Sequence, residues 1–144
     1  MMQDDHNGAA AIVRAFHERL WGTSDATAID ELVAPDAVTS MTGFSGSTVE
    51  VLRDDVARYQ AAFEDVSTEI IELLEDGPRV AMWWRTSGTH VGPYGDIAPE
   101  ATGRRITMEG VDFLTVAGGK ITAVRSLWDA AEVYRQFDLL AEGL

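Results

Sequence analysis

The chain has 144 residues, 46 % of them hydrophobic, which fits one domain (1–144) with a real core, and it has no cysteine, which excludes disulfides, thiolate zinc sites and Cys nucleophiles. Asp and Glu number 24 against 11 Lys and Arg, a formal net charge of −13 that serves solubility and repels phosphate backbones and anionic membranes, so nucleic acid and membrane are not expected partners. No apolar run approaches the ~20 residues of a membrane helix, and the polar stretch 1–8 lacks a basic-then-apolar leader pattern, so it reads as a flexible tail on a cytoplasmic protein.

The predicted elements run helices first, then strands, then a closing helix. The first helix spans about Ala9 to Trp21, with Ile12, Val13, Phe16 and Leu20 on one face at helical spacing and His17 on the polar side. Asp25 or Ser24 caps a short second helix holding Ile29, Leu32 and Val33, which must stop near Pro35. Val38 to Met41 forms a short strand, and Gly43 and Gly46 mark a loop. Ser47-Thr48-Val49-Glu50 matches a capping box, and it opens a third helix whose stripe of Val49, Leu52, Val56, Tyr59 and Phe63 faces a core.

From Val66 onward the period changes. Ser67 to Leu74 and Arg79 to Thr89 read as strands around the turn Asp76-Gly77-Pro78, followed by a Gly- and Pro-rich loop from His90 to Gly103. Arg105 to Ala117 and Lys120 to Asp129 read as a hairpin around Gly118-Gly119, because both glycines can take the positive φ of a two-residue turn. Ala130 to Leu140 closes the chain as a helix, with Val133, Phe137 and Leu140 in one apolar line. Helices plus antiparallel strands define an α+β class. Met82 and Trp84 oppose Trp83, and Ile106 and Leu114 oppose Val111 and Phe113, so the sheet is apolar on both faces. The face away from the helices then needs cover, which predicts a homodimer or larger homo-oligomer through the sheet.

Candidate chemistry lies on the last hairpin. With Gly118 and Gly119 as the whole turn, Asp112 opposes Arg125 and Met108 opposes Asp129. Alternation then puts Asp112, Arg125 and Asp129 on one face with Met108, Leu114 and Leu127. A carboxyl on an apolar face is tuned upward and can exchange protons near neutral pH, with a guanidinium to hold it ionised or to stabilise a substrate oxygen. The same residues also fit plainer roles: Asp112–Arg125 as a cross-strand ion pair, Asp129 as the N-cap of the last helix. His90 stands at a strand end, as a helper to the site or as a solvated loop residue. No two histidines have metal-ligand spacing, and no phosphate loop or nucleophile elbow is present, so no metal is expected. Trp83 and Trp84 read as core and pocket wall.

The stretch Arg79 to Gln136 resembles SnoaL-like polyketide cyclases, of the broader NTF2-like fold group. The resemblance is carried by Arg79-Val80-Ala81-Met82-Trp83-Trp84-Arg85, Ser87-Gly88-Thr89-His90-Val91-Gly92, Thr102-Gly103-Arg104-Arg105-Ile106, Glu109-Gly110-Val111-Asp112-Phe113, Gly119-Lys120-Ile121, Leu127-Trp128-Asp129 and Tyr134-Arg135-Gln136. It implies a cone in which a curved, mostly antiparallel sheet packs on three N-terminal helices, with a short C-terminal helix and a deep pocket between sheet and helices. It implies cofactor-free ring closure of a polyketide ester by intramolecular aldol reaction. An aspartate before the last helix serves there as acid and base, and Asp129 matches that position; His90, Asp112 and Arg125 are candidates for its polar helper. Where such relatives end the last helix in Gln-Leu-Gly, this chain has Gln136-Phe137-Asp138. The expected substrate is a small, apolar, oxygenated, polyketide-like molecule, walled by Trp84, Met108, Leu114, Leu127, Tyr59 and Phe16. Two alternatives stand beside the cyclase: a limonene-type epoxide hydrolase using Asp112, Arg125 and Asp129 as an Asp-Arg-Asp group, and a non-catalytic binding domain.

Overall fold

The computed structural model describes residues 8–41, 44–95 and 97–139; the expectations for the N-terminal stretch with His6, for Gly43 and for Leu140 lie outside them. Helix α1 (Ala9–His17) runs into a π-helical turn (Glu18–Gly22), then α2 (Thr27–Leu32) follows. Val13, Phe16 and Leu20 are buried, as their spacing requires. His17 departs from expectation: it is one turn from Val13, shares the apolar face and is only 3 % exposed. Asp25 organises the start of α2, accepting the Thr27 backbone N–H at 3.0 Å and the Arg19 Nε–H at 2.9 Å.

Strand β1 (Val33–Met41) is longer than predicted, and Pro35 falls in the stretch where its register on the neighbouring strand shifts. Strand β2 (Phe44–Ser47) corrects the predicted loop, since it pairs antiparallel with β1. Helix α3 (Thr48–Ala62) begins after Ser47, but Ser47 makes no side-chain cap bond and the capping box is not formed. The buried Thr48 hydroxyl instead accepts from Thr39 Oγ1 at 2.6 Å, tying the helix start to β1. Leu52, Val56 and Tyr59 are buried; Phe63 is the first residue of the next strand rather than the last of the stripe.

Strands β3 (Phe63–Asp76), β4 (Arg79–His90), β5 (Arg105–Ala117) and β6 (Lys120–Trp128) form an antiparallel meander, and β1 joins β6 in parallel. The six-stranded sheet has the order β2-β1-β6-β5-β4-β3. Gly118 and Gly119 take φ of 60° and 77°, as the hairpin turn demands. The register of β3 on β4 shifts between Glu64 and Ser67 and again between Ile70 and Glu72. Each extra residue bends and twists a strand, and the sheet curves round the helices. Helix α4 (Ala130–Gln136) is shorter than predicted and ends before Asp138, which adopts φ of 60°. One apolar cluster joins α1, α2 and α3 to the inner sheet face through Phe16, Leu20, Ile29, Met82 and Leu114. A second, around Tyr59, Phe63, Ile106, Met108 and Val133, seats α4 and the 91–104 segment. Among the described residues no helix is long and apolar enough to cross a membrane.

Candidate active site

The β5–β6 hairpin decides which side chains meet. Beside the turn, Ala117 opposes Lys120 and Val116 opposes Ile121, as predicted; then Thr122 enters β6 as an extra residue, and Thr115 opposes Ala123. A one-residue slip turns every later side chain to the other face. Asp112 therefore opposes Ser126, while Arg125 pairs with Phe113 and Leu127 with Val111. This corrects the expected Asp112–Arg125 pair and removes Arg125 and Leu127 from the inner face. Both are exposed, Leu127 by 50 %, and they border an outer-face groove of about 1080 Å³.

The inner face holds a cavity of about 200 Å³ between the sheet, α1 and α3. Phe16, Tyr59, Trp84 and Met108 line it, together with Trp21 and Trp128. Leu114 does not: it is sealed in the core beneath. The polar groups on the wall are His17, Thr39, Asp55, Arg58, Thr86, Tyr94, Asp112 and Ser126.

Asp112 is half-buried on the inner face of β5. Its Oδ1 accepts from Ser126 Oγ at 2.6 Å and Trp84 Nε1 at 3.0 Å. Its Oδ2 has no protein partner among the described residues and is not sealed from the cavity. Burial pushes the carboxyl above its ordinary range, and the bonds from Ser126 and Trp84 offset part of that. The indole reaches Asp112 because β5 carries Gly110 alongside it: a Cβ there would stand 2.6 Å from Trp84 Cζ2. At the other end of the wall Asp55 faces Arg58 at 3.4 Å, and burial raises the Asp55 carboxyl despite that neighbour. Burial likewise drives the Tyr94 phenol up to about 12, with Asp55 adding to the rise.

Asp129 and His90 stand apart from this cavity. Asp129 is exposed and caps α4, its Oδ1 accepting the Glu132 N–H at 3.1 Å. His90 is 0 % exposed, packed on Phe63 and edge-on to Phe137. Its Nδ1 accepts the Thr102 backbone N–H at 3.0 Å, and its backbone bonds Arg104 and Gly103. It pins both ends of the 91–104 segment and lines no part of the cavity. Burial holds its pKa down.

Sequence reasoning missed His17, Asp55, Tyr94 and Ser126. His17 was legible in its one-turn spacing from Val13; Ser126 would have followed from the bulge, which has no sequence mark. Burial lowers His17 to about 4, so the ring is neutral. Among the described residues no three His, Asp or Glu side chains are grouped to hold a metal ion.

A curved six-stranded sheet folded with helices over an inner cavity is an NTF2-like α+β fold. A profile of SnoaL-like polyketide cyclases matches residues 11–137, and the chain belongs to that family. AclR, a hydroxylase candidate from Streptomyces galilaeus, superposes with a TM-score of 0.81 at 20 % identity, over 94 % of this chain and 84 % of its own. A polyketide cyclase candidate from Acidithiobacillus ferrooxidans gives 0.75 at 26 % identity, covering 92 % and 96 %. An LEH-like epoxide hydrolase from M. tuberculosis gives 0.67 at 20 % identity, covering 89 % and 87 %. No curated protein matches the chain.

Proposed function

We propose that the chain is a cofactor-independent cyclase of a small, oxygenated, polyketide-like ester, with Asp112 as its acid and base. The observation that carries this reading is the division of labour within one carboxylate: Oδ1 is fixed by Trp84 and Ser126, while Oδ2 is open to an apolar cavity. Asp112 Oδ2 takes a proton from carbon next to a carbonyl. The enolate carbon bonds to a second carbonyl carbon of the same molecule, and that carbonyl oxygen receives the proton. One C–H bond breaks, one C–C and one O–H bond form, and the product is isomeric with the substrate. The Trp84, Met108, Tyr59 and Phe16 walls fold the substrate so that the two carbons meet, and positioning of this kind supplies ~7–11 kcal/mol toward the barrier. Asp129, which the family resemblance favours, could cap α4 and catalyse at once, but it is exposed and does not line the cavity, so the reading rests on Asp112.

Asp112→Asn keeps the Oδ1 acceptor and removes the base. Turnover of polyketide esters should fall at least ~100-fold with the circular dichroism spectrum unchanged. Undiminished turnover in that variant would remove the mechanism. A second reading, epoxide hydrolysis, draws on Asp55 and Arg58, which line the same cavity as Asp112; the trio Asp112, Arg125 and Asp129 does not converge. Product mass in heavy-oxygen water separates the two, because only hydrolysis adds the label.

We also propose a homodimer through the outer sheet face, where Trp83, Phe113 and Leu127 are exposed.

A further inference from the structure

His17 is a buried imidazole that the acid/base scheme leaves unused. Its Nε2 meets Thr68 Oγ1 at 2.8 Å on β3, and Thr68 in turn meets Thr86 Oγ1 at 2.7 Å and the Arg85 carbonyl at 3.3 Å. A Thr68 proton directed at that carbonyl leaves its oxygen to accept from Nε2–H. In that arrangement, and equally with the Thr68 proton on Thr86, the lone pair of the neutral ring is on Nδ1, and this is the tautomer on which the proposal is built. Nδ1 has no protein partner among the described residues, and unlike Tyr59 Oη and His90 Nε2 it is not sealed off. The open space that His17 borders is the cavity.

The position of the ring gives this nitrogen a purpose. Its centroid is 6.4 Å from that of Trp84, tilted by 35°, and the same Trp84 indole donates to Asp112. His17 and Asp112 therefore flank one indole, and both line the same apolar cavity. We propose that His17 is a substrate-contacting residue whose Nδ1 accepts a hydrogen bond from an enol or phenol hydroxyl of the ligand, orienting the acidic carbon toward Asp112. The inference rests on the reading of this cavity as the site of Asp112. It adds a specificity: a ligand with a hydroxyl on a planar ring or enol, about the size of a bicyclic, is held at two points, and one lacking it is held at one.

The test uses 2-naphthol as the probe, with calorimetry for affinity and imidazole nitrogen NMR for contact. Gln reproduces the reach of Nε2 to Thr68 without a group at Nδ1; Asn reproduces Nδ1 without reaching Thr68. Binding should shift the Nδ1 resonance of the wild-type protein. His17→Gln should weaken binding by about tenfold and His17→Asn by no more than about threefold. A purely structural histidine gives the reverse order and an unmoved Nδ1 signal, and either result overturns the proposal. If Asp112→Asn loses turnover while His17→Gln binds 2-naphthol as tightly as wild type, the Asp112 reading stands and the role of His17 falls. Failure of the wild-type protein to bind 2-naphthol overturns the role of His17, whereas the Asp112 reading stands or falls on the turnover of Asp112→Asn.

Discussion

Burial shifts Asp112 and His17 in opposite directions, each toward its neutral form, so each leaves its own mark on stability. Folded Asp112 holds its proton to higher pH than the unfolded chain does. Between the ordinary aspartate value and its raised one, the native state binds more protons, and its stability falls as pH rises. His17 acts on the acid side: lowered from 6.5 to about 4, it stays neutral while the unfolded histidine charges, and stability is lost as pH falls through that window. The difference in Tm between wild type and Asp112→Asn cancels the histidine and isolates the aspartate. We expect the Asn variant to have the higher Tm near pH ~8, with the gap closing below the ordinary aspartate range. A constant gap across the titration would mean that the carboxyl is not held above its ordinary value.

At the scale of elements, the site depends on how closely β4, β5 and β6 approach one another at Gly110. A Cβ there would come 2.6 Å from the Leu127 carbonyl and 2.6 Å from the Trp84 ring, so alanine must move backbone or indole. We expect Gly110→Ala to cost about 1–3 kcal/mol of stability and to break the Trp84–Asp112 bond. The indole emission should change, and kcat should fall more than KM rises. An alanine variant with native fluorescence and full turnover would show that the close approach is incidental. The strands themselves were legible from composition and turn glycines, and β5 begins and ends where its pattern says. What was not legible was the register beyond Thr122. The Gly118-Gly119 turn fixes the pairs next to it, but a bulge depends on sheet curvature set by distant packing, and it moved Arg125 and Leu127 outward while bringing Ser126 to Asp112. β2 escaped notice for a related reason: Phe44–Ser47 is four residues with two small polar ones and a glycine, and only its partner β1 makes it a strand. The cap role of Asp129 was readable from the residues after it, whereas the reach of His17 into the cavity needed the neighbouring helix and sheet.

At the scale of the molecule, the outer sheet face poses a problem of both solubility and charge. Val38, Leu74, Trp83, Phe113 and Leu127 are exposed on a chain whose net charge of −13 otherwise opposes contact between copies. The groove bordered by Phe113 and Leu127 is different in charge: Arg79, Arg125, Glu75 and Asp76 all line it, so the patch carries both signs in equal number. A two-fold axis through such a patch lets each arginine meet an acidic residue of the other copy while the aromatic and aliphatic side chains are covered, which is the self-complementarity that a closed dimer requires. A small anionic partner would leave the apolar part bare, and a basic partner would leave the arginines unpaired. Sedimentation should therefore give twice the chain mass at high micromolar concentration, with added salt tightening the dimer by screening the net repulsion. The double variant Phe113→Glu, Leu127→Glu should be a folded monomer that still binds 2-naphthol, since neither side chain reaches the cavity. A wild-type chain that stays monomeric at every concentration and ionic strength would sink the dimer; a variant that loses 2-naphthol along with self-association would instead mean that the partner copy holds the cavity in shape.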